Sequence, residues 1–137
     1  MMKKAAKPAP LNGYVFYDDG SWEFRLPRSE QEDLEIEQCL LESFQDNLRS
    51  QLFGVTKDLM AIEYRHAREW DRKNLNRIGV FDKKTGKLAS VFRFGNGDKN
   101  ELEPEPDQIR LHPGFIRIKE MSKKVEERAR KSYPENF

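Results

Sequence analysis

A chain of 137 residues is close to the commonest size for one domain and leaves little room for two substantial cores. Apolar and charged residues each make up 36%, with nine Phe, four Tyr and two Trp, which argues against wholesale disorder and requires a densely ionic surface. The net charge is only +1, the single cysteine, Cys39, excludes an internal disulfide framework or thiolate metal cluster, and no apolar run nears the ~18 residues of a membrane span.

Residues 1–12 read as a flexible basic tail, followed by one α+β domain over residues 13–137. The tail's lysines are not followed by the apolar run of a signal peptide, so a cytoplasmic location is the expectation. From Tyr14 to Leu26 two short strands flank Asp19-Gly20, a tight-turn signal. A two-residue turn there sets Tyr17 opposite Trp22 and Val15 opposite Phe24. This predicts a hairpin with one aromatic face.

Ser29-x-x-Glu32 has the form of a capping box and marks a helix start. Leu34, Ile36, Leu40, Leu41, Phe44, Leu48 and Leu52 then fall on one arc at helical spacing, and Val55, Leu59, Ile62, His66 and Trp70 continue it. The pattern predicts one long helix to about Lys73, kinked or interrupted at Gly54-Val55-Thr56. Phe53, Met60 and Tyr64 form a second, smaller stripe on it.

A second hairpin is predicted over residues 77–94, closed by Asp82-Lys83-Lys84-Thr85-Gly86. Alternation puts Ile78, Val80, Ala89 and Val91 on one side and Phe81, Leu88 and Phe92 on the other. Residues 95–108 form an acidic, proline-containing loop, Ile109 to Leu111 suit a short strand, and a C-terminal helix is expected over 114–132. The fold class is therefore α+β: two antiparallel hairpins in a roughly four-stranded sheet, packed by one long helix and a C-terminal helix.

No residue set points to catalysis. Acidic neighbours at Glu35, Glu37 and Glu42 oppose a reactive Cys39 thiolate. His66 and His112 are isolated from metal-ligand spacing, and the phosphate-loop pattern is absent. A non-enzyme without cofactor is expected.

Charge is segregated along the chain. Residues 30–53 carry seven acids against Arg49 alone, residues 98–107 are also acidic, and residues 78–97 and 108–137 are basic. The leading expectation is a non-catalytic protein-binding module, an adaptor or inhibitor-type accessory protein acting through segregated acidic and basic surfaces. Its partner-binding candidates are Glu35, Glu42, Asp46, Phe53, Met60 and Tyr64. The alternative is a nucleic-acid-binding accessory protein that uses the hairpin 77–94 and helix 114–132 through Lys83, Lys84, Lys87, Arg93, Lys123, Lys124 and Arg128, with Phe92 and Phe94 available for stacking.

Overall fold

The computed structural model describes residues 7–43 and 48–132, with 48–50 by backbone alone. Two antiparallel hairpins form the sheet: β1 (Val15–Asp18) with β2 (Trp22–Arg25), and β3 (Arg77–Asp82) with β4 (Leu88–Arg93). The strand order is β1-β2-β3-β4, so β2 and β3, from different hairpins, pair at the centre. The remaining elements are α1 (Glu30–Ser43), α2 (Leu48–Phe53), α3 (Lys57–Lys73), α4 (Asp107–Arg110) and α5 (Pro113–Ser132). The expected α+β class with a four-stranded antiparallel sheet is present.

The chain divides into two compact units. One comprises the sheet, α1, the C-terminal part of α3 from Ala67, and the chain through Glu103; the other holds α2, the N-terminal part of α3, α4 and α5.

In the first unit the second hairpin closes as expected, with Asp82 accepting at its carbonyl from Gly86 N at 2.8 Å. The first hairpin does not keep its expected register. Its turn lies one residue later than expected: Asp19 N donates to Trp22 O at 3.3 Å, leaving Gly20-Ser21 at the tip, and the Asp19 carboxylate accepts from Ser21 N and Trp22 N. Tyr17 therefore pairs with Phe24, and a bulge between Val15 and Tyr17 brings Val15 opposite Arg25. A second bulge, between Val80 and Phe81, sets Ile78 opposite Phe92, residues that simple alternation assigns to opposite faces.

The capping box at the start of α1 forms in altered shape. Ser29 Oγ accepts from Glu32 N at 3.2 Å, while the Glu32 carboxylate reaches back to Arg28 N at 2.7 Å. Helical order is interrupted at Gly54-Val55-Thr56, where Gly54 takes φ +66°, a conformation that ends a helix at little steric cost. The expected apolar arc is only partly buried: Ile36 is inaccessible, but Leu34 and Leu52 are exposed. On α1 the inward flank is instead shared with carboxylates.

The end of the N-terminal segment lies along the first unit. Gly13 N donates to Pro27 O, and Lys7 Nζ donates to Lys73 O at 3.2 Å. In the second unit, Ile109 is a buried residue of α4, not a strand residue, and Pro106 and Asp107 start that turn. His112 caps α5, its Nδ1 accepting from Gly114 N at 3.1 Å. Gly114 is required there, because a Cβ would run into the Phe53 carbonyl of α2.

Candidate functional site

The two faces of the sheet have opposite chemistry. On one, α1 lies against β3 and β4 over side chains that alternate inward: Arg25, Arg77, Gly79 and Phe81 are all buried. The Arg25 guanidinium lies 3.7 Å from the Phe81 ring centroid and grips Glu32 with two parallel bonds of 2.8 and 2.9 Å.

Behind this pair runs a chain of ions built around buried Asp71, Arg77 and Asp33. Asp71, fully inaccessible near the end of α3, accepts from Arg77 Nε at 2.7 Å, Arg93 Nε at 2.9 Å and Asn76 Nδ2 at 3.3 Å. Arg77 also donates to Glu37 at 2.8 Å, and Glu37 accepts two bonds from Arg68. Buried Asp33 holds Arg72 at 2.6 Å. Burial pushes the Glu37 carboxyl up, but the arginine bonds outweigh it and hold the group below the usual carboxylate range. Bonding to Arg25 likewise lowers Glu32, against burial.

This network neutralises much of the acidic helix. Glu30, Asp33 and Glu37 recur at helical spacing on α1 and meet Arg68 and Arg72, one turn apart on α3. An acid stripe with spacing i, i+3, i+7 and an arginine pair at i, i+4 was the sequence signal for this contact.

The other face carries rings, and among the described residues no helix of its own unit lies across it. Trp22 and Phe24 alternate onto it from β2, Ile78 and Val80 from β3, and Phe92 from β4. Phe94 continues the β4 alternation just past its end. The Phe24 ring meets Tyr17 edge-on at 5.6 Å and Phe92 in a stacked arrangement at 6.0 Å, while Tyr14 and Phe16 meet edge-on at 5.0 Å. Tyr14, Phe16, Tyr17, Trp22, Phe92 and Phe94 remain between 37% and 58% exposed. Phe16, Ile78 and Phe94 line an open groove of about 320 Å³, with Lys7, Asn74, Leu75 and Asn96 at its margin. Monomeric surfaces seldom expose so many contiguous rings without using them.

The residues singled out from sequence are scattered. Glu35 and Glu42 are exposed on α1, Asp46 lies outside the described residues, and Phe53 is half-buried. Met60 and Tyr64 are buried and offer no open stripe. On the second hairpin Arg93 is bound to Asp71, and Lys83 holds Asp18 at 2.7 Å, whereas Lys84 and Lys87 are exposed without an ion pair among the described residues. Lys123, Lys124 and Arg128 lie exposed on α5, in the other unit. The open ring face was missed as a unit because both bulges shift the alternation from which it is read.

Burial, reinforced by Glu42, pushes the Cys39 thiol up. Among the described residues no group of three or more His, Cys, Asp or Glu stands together as a metal site, and no helix is long and apolar enough to cross a membrane. No family model matches the chain, and neither a curated protein nor a solved structure matches it.

Proposed function

We propose that this protein is a non-catalytic binding module that docks a protein partner on the open aromatic face of its sheet. One observation carries the reading: six exposed rings share a face whose centre, among the described residues, holds no charged side chain, while Arg25, Arg77 and Arg93 of the same sheet are bonded to Glu32, Glu37 and Asp71. Protein interfaces have this anatomy, with aromatic residues at a charge-poor centre and polar groups at the rim. Asp82, Lys84 and Lys87 at the hairpin end and Lys7 and Asn96 at the groove supply such a rim. The docking surface thus moves from the acidic helix to the sheet, and the adaptor or inhibitor-type role is retained.

A second reading draws on the same rings. Exposed aromatics with unpaired Lys84 and Lys87 suit base stacking beside a phosphate track. It is the weaker reading, because Arg77 and Arg93, the best phosphate ligands of the hairpin, are already held by Asp71.

Capture from cell extract with the immobilised full chain, with and without nuclease, separates the two. A protein retained after nuclease by the wild type and lost with Phe92→Asp supports the first reading. A nuclease-sensitive complex whose affinity falls with salt at a log–log slope of about −0.7 per phosphate contact supports the second. If no captured partner is lost with Phe92→Asp, both readings are overturned.

A further inference from the structure

The helical unit has an interaction surface of its own, independent of the sheet. Along α5, Ile118, Met121, Val125 and Ala129 form a stripe at helical spacing, and with Phe53 of α2 they wall a groove of about 560 Å³. Ile118 is buried at its floor, while Met121 is 44% and Val125 67% exposed. From Ile118 to Ala129 the stripe runs about 16 Å, three turns of helix.

One flank of the stripe carries a single sign of charge. At 100° per residue, Arg117, Lys124, Arg128 and Lys131 project to that side, while Glu126, which lines the groove, stands with Lys119 and Arg130 on the other. Glu120, Lys123 and Glu127 project to the back. Lys119 and Arg130 have partners in Glu105 and Glu126, and Arg117 lies 3.8 Å from Glu120. Lys123, Lys124, Arg128 and Lys131 have no ion pair among the described residues. A concave apolar trough with unpaired cations along one rim matches a ligand that is apolar on one side and anionic on the shoulder that meets that rim.

We infer that the α2–α5 groove binds an acidic amphipathic helix of a partner protein, whose apolar row seats between Phe53 and the Met121–Val125 ridge and whose carboxylates meet Lys124, Arg128 and Lys131. Helix-in-groove docking uses such i, i+3/i+4, i+7 anchors, and the unbranched Met121 adapts to the side chain it meets. Phosphates alone would not use the apolar trough. A bilayer surface favours a convex face of large residues, which Val125 and Ala129 do not provide.

Selection from a displayed library of peptides about 16 residues long, against the full chain, tests this. The expected winners are amphipathic helices rich in Asp and Glu on their polar face. For a labelled winning peptide, Met121→Glu and Val125→Glu should each weaken binding by about tenfold or more, since each sets a charge in the apolar seat. Joint reversal of Lys124, Arg128 and Lys131 to Glu should weaken it by a similar factor at low salt and much less in ~0.5 M salt. Phe92→Asp, on the sheet, should leave it unchanged, so this inference and the sheet-face reading fail separately. Winners without acidic bias, indifference to Met121→Glu and Val125→Glu, or tighter binding of oligo-dT or phosphatidylserine vesicles at the same residues would overturn the inference.

Discussion

Asp71 on α3 and Arg77 on β3, six residues apart, meet as a fully buried ion pair, Arg77 Nε donating to Asp71 Oδ2 at 2.7 Å. The chain between them makes the turn from helix to sheet, and Asn76 N donates to Asp71 O within it. The pair therefore ties the end of α3 to a central strand.

Asp71→Asn should destabilise the protein by about 3–5 kcal/mol, because Arg77 stays buried while losing much of its compensation and Arg93 loses its main partner. Adding Arg77→Met should restore part of the loss, giving a coupled rather than additive cycle. Urea midpoints of the four proteins measure both. Additive losses would mean the two side chains act independently.

Glu32 and Glu37 titrate below the ordinary carboxylate range in the fold, so the unfolded chain takes up protons first as pH falls. Their stabilising contribution is complete above the unfolded glutamate pKa of about 4.3 and disappears as pH falls through the lower folded values. The urea midpoint should be flat from pH 7 to about 5 and fall steeply toward pH 3. Glu37→Gln should start lower and fall less steeply. An acid limb of the same slope in wild type and variant would remove Glu37 from this role.

Gly79 lies on β3 where a Cβ would come within 2.5 Å of the Phe81 ring and 2.9 Å of Leu88. Gly79→Ala should cost about 1–3 kcal/mol by overpacking. Gly95→Ala, where a Cβ meets open space, should change the thermal midpoint little.

How much of this was legible depends on the range of the interaction. The Asp82 turn, the Ser29 cap and the break at Gly54 are local, and the residues that make them are adjacent in sequence. Glu37 and Arg77 are 40 residues apart, and periodicity identifies an apolar face without saying which acid on its border will meet an arginine. Read linearly, residues 30–53 are an acidic surface; folded, part of that charge faces inward. The aromatic face was half visible: Tyr17, Trp22 and Phe24 were evident as sheet residues, but Phe92 was assigned to the face opposite Ile78 because nothing local announces the bulge after Val80.

The same distinction can be tested with charge reversals on α1. Glu37→Lys sets a cation against Arg68 and Arg77 and should destabilise by about 3 kcal/mol or more. Glu35→Lys and Glu42→Lys, both exposed, should each stay within about 0.5 kcal/mol of wild type. Equal effects at all three positions would mean that the Glu37 contacts add little to the fold.

The two tryptophans report two different environments, one buried and one on the open face. Trp70 is buried and its Nε1 donates to Asp98 O at 3.0 Å, whereas Trp22 stands on the open face at 37% exposure. Full burial of Trp22 would make Trp22→Ala cost about 3–5 kcal/mol. Left partly in water, it should cost roughly half that, since only the covered part of the ring loses its burial. Phe92→Asp should also leave a folded protein, since the ring it removes is nearly half exposed. In the free protein iodide should quench part of the tryptophan emission, and Trp22→Phe should abolish that part. A partner seated on the aromatic face must protect Trp22, whereas one seated on α5 need not. Loss of quenching when the captured protein is added places it on the sheet; unchanged quenching in a saturated complex places it elsewhere and ends the sheet-face assignment.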